Sequence, residues 1–290
     1  MNVQRASFDT RARTWLLLAG LTGLFIAVGL VIGGAALWFF VIFSVVMNVA
    51  AYWWSAKFAI ASAHAQEVTE AEQPELHRIV EELAQLYGLP KPRVYLIPSD
   101  QPNAFATGRN KNHAAVAVTQ GLLRSMPRDQ VRGVLAHEFG HIANRDILVS
   151  SIAAMIAGAI SAIGSIFFWF GGLLGDDNDS PLGIVGVIAT IIIAPIAASL
   201  LQLAVSRQRE YLADATAART LGTGEPLAQA LETLERGREA IPMEVNPATS
   251  SLYIVNPLKK VGAAGLFSTH PPLEDRVARL REYDRSKGLA

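Results

Sequence analysis

Four stretches of this 290-residue chain are long and apolar enough to limit what it can fold into. Residues 15–36 run apolar from Trp15, and after Gly33-Gly34 residues 37–54 run apolar again to Tyr52-Trp53-Trp54. Residues 147–174 and 182–205 form a second pair, divided by the polar turn Gly175-Asp176-Asp177-Asn178-Asp179-Ser180-Pro181. A bilayer core about 30 Å thick needs roughly 20 apolar residues of helix. Each run therefore reads as a membrane helix and each pair as a hairpin, with Pro195 a tolerable kink in the fourth. The first run exceeds the roughly 7–15 apolar residues of a cleaved leader, and a second run follows at once. Trp15, the Tyr52-Trp53-Trp54 cluster and Trp169 stand near run ends, where aromatic belts belong. Arg5, Arg11 and Arg13 hold the N-terminus in the cytoplasm, so two crossings return the chain there at residue 55.

This layout divides the chain into five parts. Residues 1–14 are a cytoplasmic N-terminus, 15–54 a transmembrane hairpin, 55–146 a cytoplasmic part, 147–205 a second hairpin and 206–290 a second cytoplasmic part. The composition agrees, with 51% hydrophobic and 17% charged residues. Lys+Arg and Asp+Glu balance at 25 each, so nothing points to nucleic acid. The chain has no cysteine, which excludes disulfides and thiolate metal sites. Any metal here is held by nitrogen and oxygen.

The cytoplasmic parts show helical and strand patterns. Pro74 opens a helix with Leu76, Ile79, Val80, Leu83 and Leu86 on one face, stopped by Gly88 and Pro90. Arg93-Val94-Tyr95-Leu96-Ile97, Asn103-Ala104-Phe105-Ala106 and residues 113–119 read as short strands of a small antiparallel-type sheet. Its edge near residues 103–106 is expected to take an extended peptide as an added strand. Ser125-Met126-Pro127 reads as the start of the next helix, with serine as cap, and that helix can run on into the third apolar stretch. Later, Leu227, Ala230, Leu231 and Leu234 mark an amphipathic helix, residues 240–268 an irregular loop, and Pro271-Pro272 the start of a last helix with Leu273, Val277 and Leu280 inward.

On the helix after Pro127 stands His137-Glu138-Phe139-Gly140-His141. At 3.6 residues per turn, positions i and i+4 share a face. His137 and His141 can therefore hold one metal ion, with Glu138 turned to reach a water beside it, as a zinc hydrolase requires. His64, His77 and His113 match no metal spacing and read as surface or structural residues. A catalytic zinc usually takes a third protein ligand. If the second hairpin turns near residues 175–180, His141 lies 37 residues before Asn178 and Glu210 lies 32 after it, at nearly equal heights. Glu210 and Asp214 share a face, so one can bind metal while the other orients a ligand histidine. Position alone does not separate them.

The same residues carry a family resemblance. His137-Glu138-Phe139-Gly140-His141 with Asn144-Arg145-Asp146, and Ser206-Arg207-Gln208-Arg209-Glu210-Tyr211-Leu212-Ala213-Asp214, resemble the HtpX family. These are heat-shock-induced bacterial membrane zinc metalloproteases related to the CAAX prenyl proteases. Asn103-Ala104-Phe105-Ala106, Ser268-Thr269-His270-Pro271-Pro272 and the placing of the apolar runs match as well. The resemblance implies one Zn2+ per chain on His137, His141 and Glu210, with Asp214 as second-shell neighbour and His270 near the site. Asp146 is a candidate support of the ligand helix. His270 and Arg207 are candidate oxyanion donors.

The expected fold is thus an α-helical membrane protein with about four transmembrane helices and an α+β, zincin-like cytoplasmic metalloprotease domain. The expected function is zinc-dependent hydrolysis of peptide bonds, with Glu138 as base, in damaged or misfolded proteins at the cytoplasmic face of a bacterial inner membrane. The partners are then polypeptide substrates and the lipid bilayer. Three rivals stand beside this reading. An intramembrane site is disfavoured by Arg128, Asp129, Arg132 and Asn144-Arg145-Asp146 around the motif, since charges are costly at bilayer centre. A CAAX-type prenyl-peptide protease shares the motifs but has a larger membrane part. A catalytically silent zinc scaffold or chaperone has no use for Glu138.

Overall fold

A computed structural model describes residues 3–158, 207–243, 245–246, 249–257 and 271–288. Two long helices, α1 (Val3–Ile32) and α2 (Ala35–Ser62), open the chain. Gly33 and Gly34 join them at φ of 77° and 58°, a region glycine enters without steric cost. The pair is antiparallel: the Asn48 amide donates to Thr22 Oγ1 at 2.7 Å, and Phe25 meets Phe43 edge to face at 4.9 Å. Both helices outrun their apolar stretches. α1 starts at Val3, so most of the polar segment before residue 15 is helical. α2 continues past residue 54 because Ala59 and Ala63 find partners on the sheet.

Among the described residues one helical segment, Leu37–Ser62, is long and apolar enough to cross a membrane. Its outer face exposes Trp38, Phe39, Ile42, Val45 and Val49, a display with no soluble-core explanation. Thr14–Ala27 within α1 and Ile147–Gly158 are apolar but shorter. The rest of the third expected run, and all of the fourth, lie outside the described residues.

Strands β1 (Gln66–Glu67), β2 (Arg93–Ile97), β3 (Ala104–Gly108) and β4 (Ala114–Thr119) form one sheet in the order β1-β2-β4-β3. It is mixed, not antiparallel as expected: β2 and β4 run parallel, while β1 pairs with β2 and β3 with β4 antiparallel. The β3–β4 hairpin joins β2 through β4, so β3 reverses the chain between two parallel strands and lies outside them; β3 and β4 are both buried throughout. Alternation along the strands then divides two cores. Val94, Val116 and Val118 face α3 (Pro74–Tyr87) and α5 (Arg128–Ala143). Tyr95, Phe105, Ala115 and Ala117 face the end of α2, Ala154 of the helix that follows α5, and Tyr253.

α3 buries Leu76, Ile79, Val80, Leu83 and Ala84 and ends at left-handed Gly88. Leu86, expected inward, is exposed because Ala84 completes the stripe. The short α4 (Gln120–Ser125) is capped by Thr119, whose hydroxyl accepts from Leu122 N–H at 3.1 Å. Ser125 therefore ends α4 and does not cap α5, which starts after extended Pro127. Nor does α5 run on into the third apolar stretch. It ends at Ala143, and Arg145 turns left-handed at φ 62°. Asp146 N–H donates to His141 O and Arg145 N–H to Ile142 O, the paired bonds of a Schellman turn. A separate helix, α6, begins at Ile147 and is described as far as Gly158.

α7 (Arg207–Leu221), α8 (Glu225–Ala240) and α9 (Leu273–Ser286) complete the protease part. α7 packs on α5 through Ala213 and Ala217. Gly140 lets it come close, since a Cβ there would lie 3.1 Å from Ala213 O. The start of α8 is held from a distance. Buried Asp284 on α9 accepts from Thr223 Oγ1 (2.8 Å), Gly224 N–H (2.8 Å) and Glu225 N–H (2.9 Å). Asp284→Ala removes all three, leaving Gly224 N–H unmet and Glu225 N–H with only a 3.3 Å bond to Thr223 Oγ1, a loss of about 2 kcal/mol. Thermal unfolding of the detergent-solubilised protein is expected to move down by several degrees, with zinc content unchanged.

Candidate metal centre and catalytic cleft

The site assembles where α5 and α7 cross beneath β3. His137 and His141 project from one face of α5, and Glu210 faces them from the first turn of α7. Their Nε2 atoms lie 3.1 Å apart. Glu210 Oε2 is 3.6 Å from His137 Nε2, and its Oε1 is 3.4 Å from His141 Nε2. Four-coordinate zinc with bonds near 2.0–2.1 Å sets its ligand atoms about 3.3 Å apart, so this trio has the spacing of three corners of a tetrahedron.

The rings are oriented from behind. His137 Nδ1–H donates to Asp214 Oδ1 at 2.9 Å, while His141 Nδ1 lies 3.4 Å from Asp146 Oδ2. With the Nδ1 protons turned to carboxylates, both Nε2 lone pairs point at one spot, and only a cation satisfies such an arrangement. Thus Glu210 is the carboxylate in the metal set and Asp214 is the one behind it. Asp146 reaches His141 because of the Schellman turn, and its other oxygen is 3.6 Å from Arg209 Nη1.

The electrostatics follow from burial and these partners. Burial lowers the His137 imidazole to about 4, with Arg276 assisting and Asp214 opposing, so the ring is a neutral ligand. Burial also works against charge on His141, but Glu210, Asp146 and Glu138 outweigh it and raise it to about 9. Positive charge is favoured at that position. Asp214 is held down at about 2, because Arg276 and His137 overcome its burial.

Glu138 is buried beside this trio, and its carboxylate accepts the Ala106 N–H of β3. Burial pushes its carboxyl up to about 7; Glu210 adds to this, whereas His141, the Ala106 amide and Arg276 pull the other way. It lines a cavity with His141, Glu210, Ile147, Tyr253 and Ile254.

β3 is an edge strand, but its outer side is already engaged. Ile254 N–H donates to Ala104 O at 3.0 Å, and the Asn103 amide donates to Val255 O at 2.8 Å. Tyr253 packs on Phe105 at 5.1 Å. Residues 252–255 therefore occupy the edge where residues 103–106 are expected to take a peptide. Arg207 is exposed at the start of α7 and lines no part of the cavity; Arg209 does so instead. His270 lies outside the described residues.

Sequence reasoning missed Arg276. This fully buried guanidinium binds both Asp214 oxygens, from Nε at 2.8 Å and Nη2 at 2.7 Å, and donates to Ile254 O at 3.2 Å. The signal was available, since Arg276 falls on the inward stripe of α9 with Val277 and Leu280. A charge on an apolar stripe implies a partner. Removing the partner of a buried ion pair costs about 3–5 kcal/mol, and disturbing an outer-shell group weakens metal binding roughly 10–100-fold. Asp214→Asn leaves the buried Arg276 without its carboxylate partner, and is expected to lower thermal stability and release zinc roughly 10–100 times more readily to a competing chelator. Arg276→Met is expected to lose both zinc and thermal stability.

Comparison with known proteins identifies the family. The model of peptidase family M48 matches residues 70–284. A protease HtpX homolog of Syntrophobacter fumaroxidans is 50% identical over 278 residues, covering 94% of this chain and 99% of that protein. Homologs of Persephonella marina (50% over 284 residues, 95% and 98% covered) and Pyrococcus furiosus (48% over 283 residues, 96% and 97%) agree. The crystal structure of S. mikatae Ste24p matches with a TM-score of 0.53 at 23% identity, covering 94% of this chain and 66% of that one, a likeness of fold. The chain belongs to peptidase family M48 and is an HtpX-type zinc metalloprotease, with His137, His141 and Glu210 as its metal site.

Proposed function

We propose that this chain is a membrane-embedded endopeptidase that cleaves misfolded or damaged membrane proteins at the cytoplasmic face, with Glu138 as its general base. The observation that carries this reading is the position of Glu138. Two buried carboxylates of the cleft stand outside the metal trio; Asp146 is turned to His141 and Arg209, whereas Glu138 is oriented by Ala106 N–H alone among the backbone donors. Zinc held by His137, His141 and Glu210 supplies Lewis-acid polarisation of a carbonyl and acidification of water. Glu138 takes a proton from the attacking water and passes it to the leaving amine. Burial raises this carboxyl, which strengthens it as a base and leaves it able to give the proton back.

His137 and His141 keep their orientation through Asp214 and Asp146. The substrate lies extended along β3 near residues 103–106, which requires residues 252–255 to leave that edge. Arg209 replaces Arg207 as the cationic side chain within reach of the cleft.

The membrane placement rests on Leu37–Ser62, whose exposed apolar face is continuous with the protease part. The apolar runs at 15–36, 147–174 and 182–205 support a reading of two membrane hairpins, and the basic N-terminus supports a cytoplasmic cleft. α6 begins at Ile147, six residues after His141, so membrane proteins and their loops are the natural substrates.

The test compares purified full-length protein with Glu138→Gln, each with its zinc counted, on an unfolded polypeptide and on a prenylated peptide. Wild-type cleavage of the polypeptide, about one zinc per chain in both, and a 10²–10⁴-fold loss in the variant are expected. Equal rates in the two proteins overturn the assignment of Glu138. Cleavage confined to the prenylated peptide overturns the substrate class.

A further inference from the structure

A second concentration of charge lies away from the metal, where α2 meets the β3–β4 hairpin. Trp53 and Lys57 are one turn apart on the same face of α2. The Arg109 guanidinium, at the tip of the hairpin, sits over the Trp53 ring with Cζ 4.5 Å from its centroid. Arg109 also contacts His113 Nε2 at 2.7 Å, and Lys111 projects from the same turn into solvent. Among the described residues no carboxylate pairs with Lys57, Arg109 or Lys111. On α5, by contrast, Arg128 and Arg132 sit against Glu75 and Glu82.

The level of this cluster is set by the helix pair. The Asn48–Thr22 bond fixes the register of α1 against α2, which puts Trp15 level with the residues around Ser55. Trp15, Trp53 and Trp54, each at least half exposed, thus stand at one height. Indole rings gather at the boundary between hydrocarbon and headgroups. The unpaired cations lie at that same boundary, on its protease side.

We infer that Lys57, Arg109 and Lys111 form a seat for the headgroups of anionic phospholipids. Stacking on Trp53 and the Nη2 bond to His113 leave the remaining N–H groups of the Arg109 guanidinium to donate to a phosphodiester. Lys57 and Lys111 add point charges. A cation near an anionic bilayer surface gains about a fivefold preference. The seat also bears on the cleft, because Arg109 directly follows the strand whose Ala106 N–H holds Glu138. Lipid bound at the hairpin tip holds β3 at a fixed height over the membrane. This inference rests on the reading of Leu37–Ser62 as a membrane span.

The chain has no cysteine, so Asn112→Cys gives a single labelling position in the hairpin. The full-length labelled protein, in nanodiscs, is titrated with phosphatidylglycerol or phosphatidylcholine carrying a nitroxide high on the acyl chain. Quenching of the label at several-fold lower mole fraction of phosphatidylglycerol, weakened by salt, is expected. Lys111→Gln, at an exposed position, lowers the preference about fivefold. Lys57→Gln/Arg109→Gln/Lys111→Gln abolishes it with zinc content intact. Arg5→Gln/Arg11→Gln/Arg13→Gln leaves it unchanged. Equal quenching by both lipids, or a preference that survives the triple hairpin variant or vanishes in the N-terminal one, overturns the seat. Release of the protein from liposomes by alkaline wash overturns the spanning reading and the seat together; retention with equal quenching overturns the seat alone.

Discussion

The buried pair of Arg276 and Asp214 is the constraint on which the rest of the site depends. Two charges taken out of water cost more than they return unless geometry and further bonds are good. Here both carboxylate oxygens and both faces of the guanidinium fork are used. The remaining bonds go to His137 and to the carbonyl of Ile254. One ion pair thus joins α9, α7, α5 and the segment on the sheet edge. The metal trio inherits its precision from that joint, because His137 is aimed by Asp214 and Asp214 is aimed by Arg276.

Much of this was legible in the chain. The i, i+4 histidines, the face shared by Glu210 and Asp214, three of the four strands and the stripes of α3 and α8 follow from periodicity. The parts that were not legible depend on tertiary partners. The parallel pairing of β2 with β4 arises because the β3–β4 hairpin docks on β2 through its second strand, an order that local pattern does not encode. α2 passes residue 54 because Ala59 and Ala63 meet strands that are distant in sequence. The break after Ala143 rests on a left-handed arginine, which no propensity favours. Asp284 and Arg276 were visible as charges on an inward stripe, yet the stripe does not say whom they meet.

The sheet edge shows the same limit from another side. Asn103-Ala104-Phe105-Ala106 reads as an edge open to a guest strand, and β3 is indeed at the edge. Its outward bonds are nonetheless made by Ile254, Val255 and Glu138. Exposed strand edges invite unwanted pairing, and proteins commonly cover them. A protease whose substrate takes such an edge gains by covering it with its own chain until a substrate competes. The covering segment is tied to Arg276, so opening the edge and loosening the support behind the metal draw on the same guanidinium.

One consequence concerns distance. α2 is a single uninterrupted helix from the tryptophan belt to the sheet, and its last turns pack directly against the strands that border the cleft. A helix of this kind is a ruler: the ten residues from Trp53 to Ala63 measure about 15 Å at 1.5 Å each. With Leu37–Ser62 across the bilayer, as proposed, the cleft would stand at a set elevation above the lipid surface. A peptide bond buried in the bilayer lies below its reach, and a tightly folded loop presents nothing extended at that height. Under the proposed membrane placement, what would arrive there is chain that has lost its fold while its neighbouring span still holds it to the membrane. On the function proposed above, selection by elevation would need no side-chain pocket and would separate damaged from intact membrane proteins before any residue is read.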